Sequence, residues 1–507
     1  MNNKKILPII VLAIYFVIGL WKLNDLPGEW YGDISNVHEY VLEILNGLWP
    51  WYFFQSTGPI YHYLVTPVIL LLGSNYWQYK FSSVLVGGMG VVMTYLAVKE
   101  LADRKTALWA MFLAAVSFWT IVWARTGNSQ IIILFLTANV IFWAEKYAKT
   151  RKPAHLAVGA LSASLGLFEY PQTFVLPLLW LWWLVSRKQI KGGLWGTLLL
   201  ILPSLLFAKV ILSNLDNFTT GYVGDKVPSI SQLLTQQTRQ RFIENIKKTA
   251  LMIHYKGEGI FRVNVPGDPH IDRISGIFFL LGILYLLKTN RPLLVRATAA
   301  MFLLALPSMS PAIPPGEIPN SGRTMGIVPL VYFLTATGIS ESFNYLKRYS
   351  KTTAGVAAGV VLTGIFLLNL YKYFVLYPPG LPDQNRAYAK IMAEYVNTLP
   401  GHTSVYLSSC CWGNWGQPEP KALFYRLNEQ DGRENLINAG VFARSCDDIK
   451  PQRPAIILNS PQDLEAIENW RNCFPRGEVK THEAGGKQVF VSVFLGQDKI
   501  PESKQPQ

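Results

Sequence analysis

Residues 58–73 read GPIYHYLVTPVILLLG, a run apolar enough to enter a membrane but only sixteen residues long. Pro59 opens it and Pro67 interrupts it. A helix that crosses a hydrocarbon core of about 30 Å needs about 20 residues, and an internal proline breaks one hydrogen bond of the helix ladder. The stretch is therefore predicted to be a half-helix that belongs to a loop rather than a crossing. That choice sets the sidedness of every segment after it.

Eleven other apolar runs are predicted to span, at about 6–21, 79–98, 107–124, 130–147, 155–169, 172–186, 193–213, 274–288, 292–309, 323–340 and 354–376. With residues 58–73 kept as a half-helix and the N-terminus inside, the cytoplasmic loops are KELADRK (99–105), EKYAKTRK (145–152), SRKQIK (186–191), KTNR (288–291) and the segment with Lys347, Arg348 and Lys351. Together with Lys4 and Lys5 these hold 17 basic residues, whereas the short outer loops have almost none. Basic residues collect on the cytoplasmic side of membrane proteins. Counting 58–73 as a full crossing would invert the whole pattern.

The composition agrees with a membrane class. Half of the 507 residues are hydrophobic and 15% are charged, against roughly 25% in ordinary globular chains. The formal charge of +14 is accounted for by the inner loops and calls for no nucleic-acid partner. Residues 6–21 follow two lysines as a secretory signal would, but no small-residue cleavage site comes after them, so a retained first span is expected. The predicted fold is a polytopic α-helical membrane protein. Residues 1–376 form its membrane domain, with a first outer loop at 22–78 and a long outer loop at 214–272. Residues 380–507 are expected to be a small soluble extracytoplasmic α/β domain, helical at 386–398 and strand-like at 403–408, 455–458 and 488–495. Cys410, Cys411, Cys446 and Cys473 all fall in it without C-x-x-C spacing, so disulfides are expected rather than zinc. Four cysteines allow three pairings.

The first outer loop carries the chemistry. Residues 28–63 hold Glu29, Asp33, Glu39 and Glu43 among eight Trp, Tyr and Phe residues between positions 30 and 54, with no Lys or Arg. Such aromatic density suits a membrane–water interface, and acids placed there are costly unless paired or used. The competing reading is an interfacial amphipathic helix whose carboxylates face water. Arg125, Glu169, Tyr170, Arg323 and His62, together with the cluster Asp268, His270, Asp272 and Arg273, map to the same outer face. Snorkelling explains an arginine at a span end, but it does not explain acids there. Carboxylates in a partly dry loop can act as a general base or hold a divalent cation. Arginines at headgroup depth bind phosphate in bidentate fashion. A lipid-linked sugar phosphate presents its phosphate at that depth.

YGDISNVHEY, GPIYHYL, WARTGNSQ, LFEYPQTF, DRISGIFFLLGIL and SGRTMGIVPLVYFL stand in an order that resembles the GT-C glycosyltransferases. The likeness is to the protein O-mannosyltransferase and aminoarabinose-transferase branch in its bacterial family 39-like form. The resemblance implies GT-C architecture and transfer from a polyprenyl-phosphate-linked sugar to an extracytoplasmic lipid, glycan or protein acceptor, with inversion. It also implies that Asp33 is the catalytic base, with Glu39 as helper or, with Asp33, a metal ligand. Arg125 and Arg323 would contact phosphate, and His62, Glu169 and Tyr170 would shape the donor pocket. The adjacent Asp-Glu pair usual in that family is absent, since Ile34 follows Asp33 and the next acid is Glu39. The competing function classes are a transporter or lipid-carrier flippase, disfavoured by the lack of a second copy of the 28–63 stretch, and a surface-glycan polymerase or ligase.

The topology is open to direct test. Single cysteines placed in 99–105 and 186–191 of an otherwise cysteine-free chain should resist an impermeant thiol reagent in intact cells, and one in 380–507 should react. Labelling of the two basic loops from outside would overturn the arrangement.

Overall fold

The computed structural model describes residues 3–30, 32–54, 57–221, 224–228, 235–381, 384–399, 403–408, 420–428, 443, 445–449 and 454–496. Two compact units emerge: residues 1–23 with 37–377, and residues 24–36 with 378–507. Residues 24–36, at the start of the first outer loop, group with the C-terminal unit.

The first unit is helical. Its helices are α1 (Asn3–Leu20), α2 (Gly32–Leu45), α3 (Ile60–Leu72), α4 (Tyr76–Leu101), α5 (Arg104–Val116), α6 (Phe118–Ala124), α7 (Ile132–Thr150), α8 (Pro153–Leu165), α9 (Leu176–Ser186) and α10 (Ile190–Leu212). Two more, α11 (Leu215–Thr220) and α12 (Gln236–Leu251), lie in the long outer loop, which sequence alone treats as irregular. Then come α13 (Arg273–Thr289), α14 (Arg291–Ala305), α15 (Val328–Tyr349) and α16 (Lys351–Tyr371).

A helix, or the bent pair α5–α6, stands at each of the eleven apolar runs. Among the described residues, five helices are long and apolar enough to cross a membrane by length and composition, or six if the bent pair is one span. The run at 58–73 folds as the thirteen-residue α3, bounded by Pro59 and Gly73. Local chemistry sets the other boundaries. Asp103 caps α5 by accepting from the amides of Lys105 and Thr106, and Asp272 caps α13 through Ser275. Asn290 caps α14 and Ser350 caps α16, each satisfying amides that a helix start leaves without partners.

Burial separates core from rim. The apolar window of α15 is 89% buried, against 11% for that of α10 and 17% for that of α16. Helix α15 is therefore the hub, and α10 and α16 present apolar faces outward, as lipid-facing helices do. At the α13–α15 contact two glycines let the backbones meet. A Cβ on Gly282 would stand 1.9 Å from the Leu334 carbonyl oxygen, and one on Gly338 would stand 2.0 Å from that of Phe278. Small residues permit such close helix approach in membranes.

The C-terminal unit holds α17 (Tyr388–Val396), α18 (Pro420–Phe424) and α19 (Leu464–Cys473) with strands β1 (Ser404–Leu407), β2 (Ala455–Asn459), β3 (Glu478–Ala484) and β4 (Lys487–Leu495). The sheet order is β1-β2-β4-β3, with β1 parallel to β2 and the other pairs antiparallel. Strand β3 escapes a hydrophobic reading because it is an edge strand with charged residues along an exposed face, a pattern that discourages edge-to-edge pairing. Ile457, Trp470, Phe474, Val493 and Leu495 form the core beside it. Cys446 pairs with Cys473 in a disulfide; Cys410 and Cys411 lie outside the described residues.

The glycine contact yields a prediction. Gly282→Leu and Gly338→Leu should each lower the thermal midpoint of the detergent-solubilised protein, by the ~1–3 kcal/mol or more expected of overpacking. Gly355→Leu, where a Cβ meets nothing within 4 Å, should leave it unchanged. Equal midpoints in all three would refute the close packing.

Candidate active site

The polar residues singled out in the sequence fall into four settings. Asp33 is exposed in the first turn of α2 and has no hydrogen bond or ion pair to a described residue. Glu39 is half-buried on the same helix. Six residues advance a helix by about 600°, so the two carboxylates point about 120° apart and do not share a face. Glu39 instead neighbours Glu43. Burial first, and then the Glu39 charge, push Glu43 above the usual carboxylate range. Among the described residues no group of three or more His, Cys, Asp or Glu side chains is placed to hold a metal. The Asp33–Glu39 metal site does not fit this geometry.

Next to Glu39, His38 is buried and its Nδ1 lies 2.7 Å from the Tyr79 hydroxyl on α4. Burial lowers its pKa to about 4, against the opposing pull of Glu39. The residue after Tyr79 is Lys80, fully buried with its Nζ 4.4 Å above the Tyr76 ring. Sequence reading passes over Lys80, since it looks like one basic residue at the start of an apolar run; only the fold shows it to be a buried cation beside the first-loop helix.

Glu169 is the second setting. Its fully buried carboxylate accepts from the amides of Tyr61 (2.7 Å) and Tyr170 (3.2 Å) and from the Thr57 hydroxyl (3.4 Å). Tyr61 lies in the first turn of α3, so Glu169 acts as a cap brought from the α8–α9 junction to the half-helix. Burial raises its pKa to about 8, with the three donors working against the shift. Gly58 makes the approach possible, because a Cβ there would stand 2.2 Å from the Phe168 carbonyl. His62, one turn on, is fully buried against the rings of Tyr40 and Phe53, both at 5.2 Å. Its Nδ1 lies 3.3 Å from the Gly58 carbonyl. Glu169 and His62 thus build the first outer loop from inside, and Tyr170 is buried at the same junction.

Arg125 is placed differently from the expected phosphate contact. It is fully buried, and its Nη1 donates to the carbonyls of Ile18 (2.7 Å) and Gly19 (2.8 Å) at the end of α1. Its Nε donates to the Tyr373 hydroxyl at 2.9 Å. The guanidinium caps a helix C-terminus, where such cations are favoured.

Arg323 belongs to a fourth setting, built on a residue the sequence does not mark. Glu258 is fully buried and accepts from both the amide (3.1 Å) and the hydroxyl of Ser321. Trp119 and Trp123 hold the same serine, through its carbonyl (3.2 Å) and its hydroxyl (3.0 Å). His270 lies 3.8 Å from Glu258 and 4.8 Å from the Trp119 ring. Burial lifts Glu258 to about 7, partly offset by the Ser321 hydrogen bonds and then by the charges of Arg323 and Lys372. Two residues along, Arg323 pairs with Glu317, which also faces Lys226 at 3.7 Å. Burial opposes the Glu317 charge, but Arg323 and then Lys226 outweigh it and hold its pKa below the usual value. Of the 268–273 cluster, Asp268 meets Lys372 at 3.6 Å and Asp272 caps α13, accepting also from Asn369 at 2.9 Å.

Comparison with known proteins follows this geometry. Residues 56–213 match the family model described as dolichyl-phosphate-mannose-protein mannosyltransferase. A crystal structure of ArnT from Cupriavidus metallidurans bound to undecaprenyl phosphate superposes with a TM-score of 0.58 at 12% identity, covering 98% of this chain and 99% of that one. The chain shares the fold of that ArnT structure. The apo ArnT structure from the same organism gives a TM-score of 0.59 at 11% identity over the same shares. No curated protein matches at the level of sequence. The segment matched by the family model contains α3, Lys80, Arg125 and Glu169 but neither Asp33 nor Arg323.

The buried acids set a pH dependence. Glu258 has a folded pKa raised to about 7 from an unfolded value near 4.3. Its protonated form therefore adds stability that is fully present below about pH 4.5 and is lost as pH rises through 7. The thermal midpoint of the purified protein should fall from pH 5 to pH 7, and Glu258→Gln should flatten that slope. A slope that the substitution leaves intact would show that Glu258 does not titrate in this window.

Proposed function

We propose that this membrane glycosyltransferase moves a sugar from a polyprenyl-phosphate carrier to a lipid, glycan or protein acceptor on the extracytoplasmic side, with inversion at the anomeric carbon. The observation that carries the donor class is the fold match over 98% of the chain to an ArnT structure bound to undecaprenyl phosphate. The Cys446–Cys473 disulfide supports an oxidising, extracytoplasmic location for the C-terminal unit, and the one-sided basic loops support insertion in the cytoplasmic membrane.

Asp33 is the base in this reading. The buried acids Glu29, Glu169 and Glu258 accept hydrogen bonds from backbone amides, whereas Asp33 is exposed and carries no such bond among the described residues. It takes the acceptor's hydroxyl proton as the acceptor oxygen attacks the anomeric carbon. The bond from that carbon to the phosphate oxygen breaks, and polyprenyl phosphate departs with the bonding electrons. Arg323 stabilises the departing phosphate. Glu39 tunes the electrostatics of α2 through His38 and Glu43. Glu169, His62 and Tyr170 hold the first outer loop in shape, and Arg125 holds the end of α1. No step runs through a metal.

Two measurements test these roles. Asp33→Asn should cut the transfer rate about 10²–10⁴-fold, as loss of a general base does, with donor binding retained; near-normal turnover would remove the assignment. Arg323→Lys should weaken donor affinity roughly tenfold, since a compact ammonium cannot replace a bidentate guanidinium. Glu317→Gln, which removes the carboxylate charge beside Arg323 without removing the arginine, should leave donor affinity intact. Unchanged affinity in Arg323→Lys, with lower thermal stability in both variants, would make the pair purely structural.

A further inference from the structure

A cavity of about 540 Å³ lies away from the outer-face residues, on the side of the basic loops. Three helices line it, each with one face. Helix α1 contributes Leu7, Val11 and Ile14; α5 contributes Lys105, Leu108, Trp109 and Phe112; α16 contributes Leu362, Thr363 and Phe366. The spacings i, i+4, i+7 on α1 and i, i+3, i+4, i+7 on α5 are single helical stripes, so the walls run side by side for about 10 Å. The lining is apolar except for Thr363 and, at one end, Lys105. The volume falls within the roughly 300–1,000 Å³ range of small-ligand sites.

Lys105 identifies the polar end. Its Nζ donates to Asn344 Oδ1 at 2.6 Å and faces the Ser340 carbonyl at 3.5 Å. An ammonium has three N–H donors, so one remains for a ligand. The charged groups around it are Asp103, Glu341 and Lys347. Asp103 is occupied by the first turn of α5, and Glu341 accepts from Asn344. The entries to the wall helices add Lys99 before α5 and Arg104 at its first position, and Lys347 and Arg348 before α16 with Lys351 at its first position. An apolar slot that ends in a lysine within a basic belt is complementary to one class of molecule: a long hydrocarbon chain with an anionic head.

We propose that this cavity is a phospholipid site of the cytoplasmic leaflet, with one acyl chain lying between α1, α5 and α16 and the phosphate of an anionic headgroup at Lys105. The bound lipid fills the seam where α1 and α16 flank α5. It is distinct from the donor, whose phosphate belongs with the outer-face arginine. The site does not depend on the function proposed above.

The full chain reconstituted in phosphatidylcholine nanodiscs and titrated with phosphatidylglycerol provides the test, read by native mass spectrometry and by thermal midpoint. The wild type should retain phosphatidylglycerol in preference to phosphatidylcholine and melt higher with it. Lys105→Gln should lower that preference about fivefold, the effect of one basic side chain at an anionic headgroup. Thr363→Trp, which fills the slot, should abolish retention of either lipid. A wild type without headgroup preference, or a Lys105→Gln variant that keeps it, would overturn the proposal. One-for-one displacement of phosphatidylglycerol by undecaprenyl phosphate would overturn it too, by assigning the cavity to the donor's tail.

Discussion

A helix that breaks inside or beside a membrane leaves amides and carbonyls that water cannot reach, and the fold depends on satisfying them. The polar side chains that stand out in this sequence do so one by one. Arg125 takes the carbonyls at the end of α1. Glu169 takes the amide in the first turn of α3. Asn369 accepts from the Phe118 amide at 2.7 Å, at the break where α5 and α6 meet at 51°. Each buried group left without a partner would cost about 1–3 kcal/mol, which for a marginally stable protein is a large fraction of the total. These residues hold irregular backbone in place at helix ends and breaks.

Glu258 extends the same logic to the outer loops. One carboxylate joins the end of the long outer loop to Ser321 of the Pro-rich loop, and two tryptophans from α6 close over the serine. Asn369 of α16 and Lys372 just after it reach the same region, since Asn369 meets Asp272 and Lys372 donates to the Pro269 carbonyl at 2.7 Å. Loops that would otherwise be independent are thus fixed to one another next to Arg323. A polar network of this kind stabilises only when every member is engaged, and removal of one carboxylate would release several donors at once.

The C-terminal unit shows how far the first loop is divided. The Glu29 carboxylate accepts from the amides of Trp30 (2.9 Å) and Ala389 (2.8 Å), the second of which lies in the first turn of α17. Asn385 joins the Gly28 amide to the Asp25 carbonyl, and Trp30 stacks on Tyr425 at 6.1 Å. Of the four acids that look alike in the 28–63 stretch, Glu29 is thereby used for packing and Glu43 is held against Glu39. Asp33 alone of the pair on α2 proposed for chemistry is exposed.

The sequence by itself determined what periodicity and composition can carry. Apolar run length marks the helices, and two prolines within sixteen residues mark the half-helix α3. Short strand-like runs mark β1, β2 and β4. The order of short motifs carries a resemblance to the GT-C glycosyltransferases. Tertiary structure decided the partner of each polar group, because a buried carboxylate or guanidinium is satisfied by whatever backbone the fold brings within 3 Å, and that backbone can be distant in the chain. Glu169 meets Tyr61 across 108 residues, Arg125 meets Ile18 across 107, and Glu258 meets Ser321 across 63. No local pattern encodes those distances, so an arginine that caps a helix and one poised near a loop acid look the same until the chain is folded.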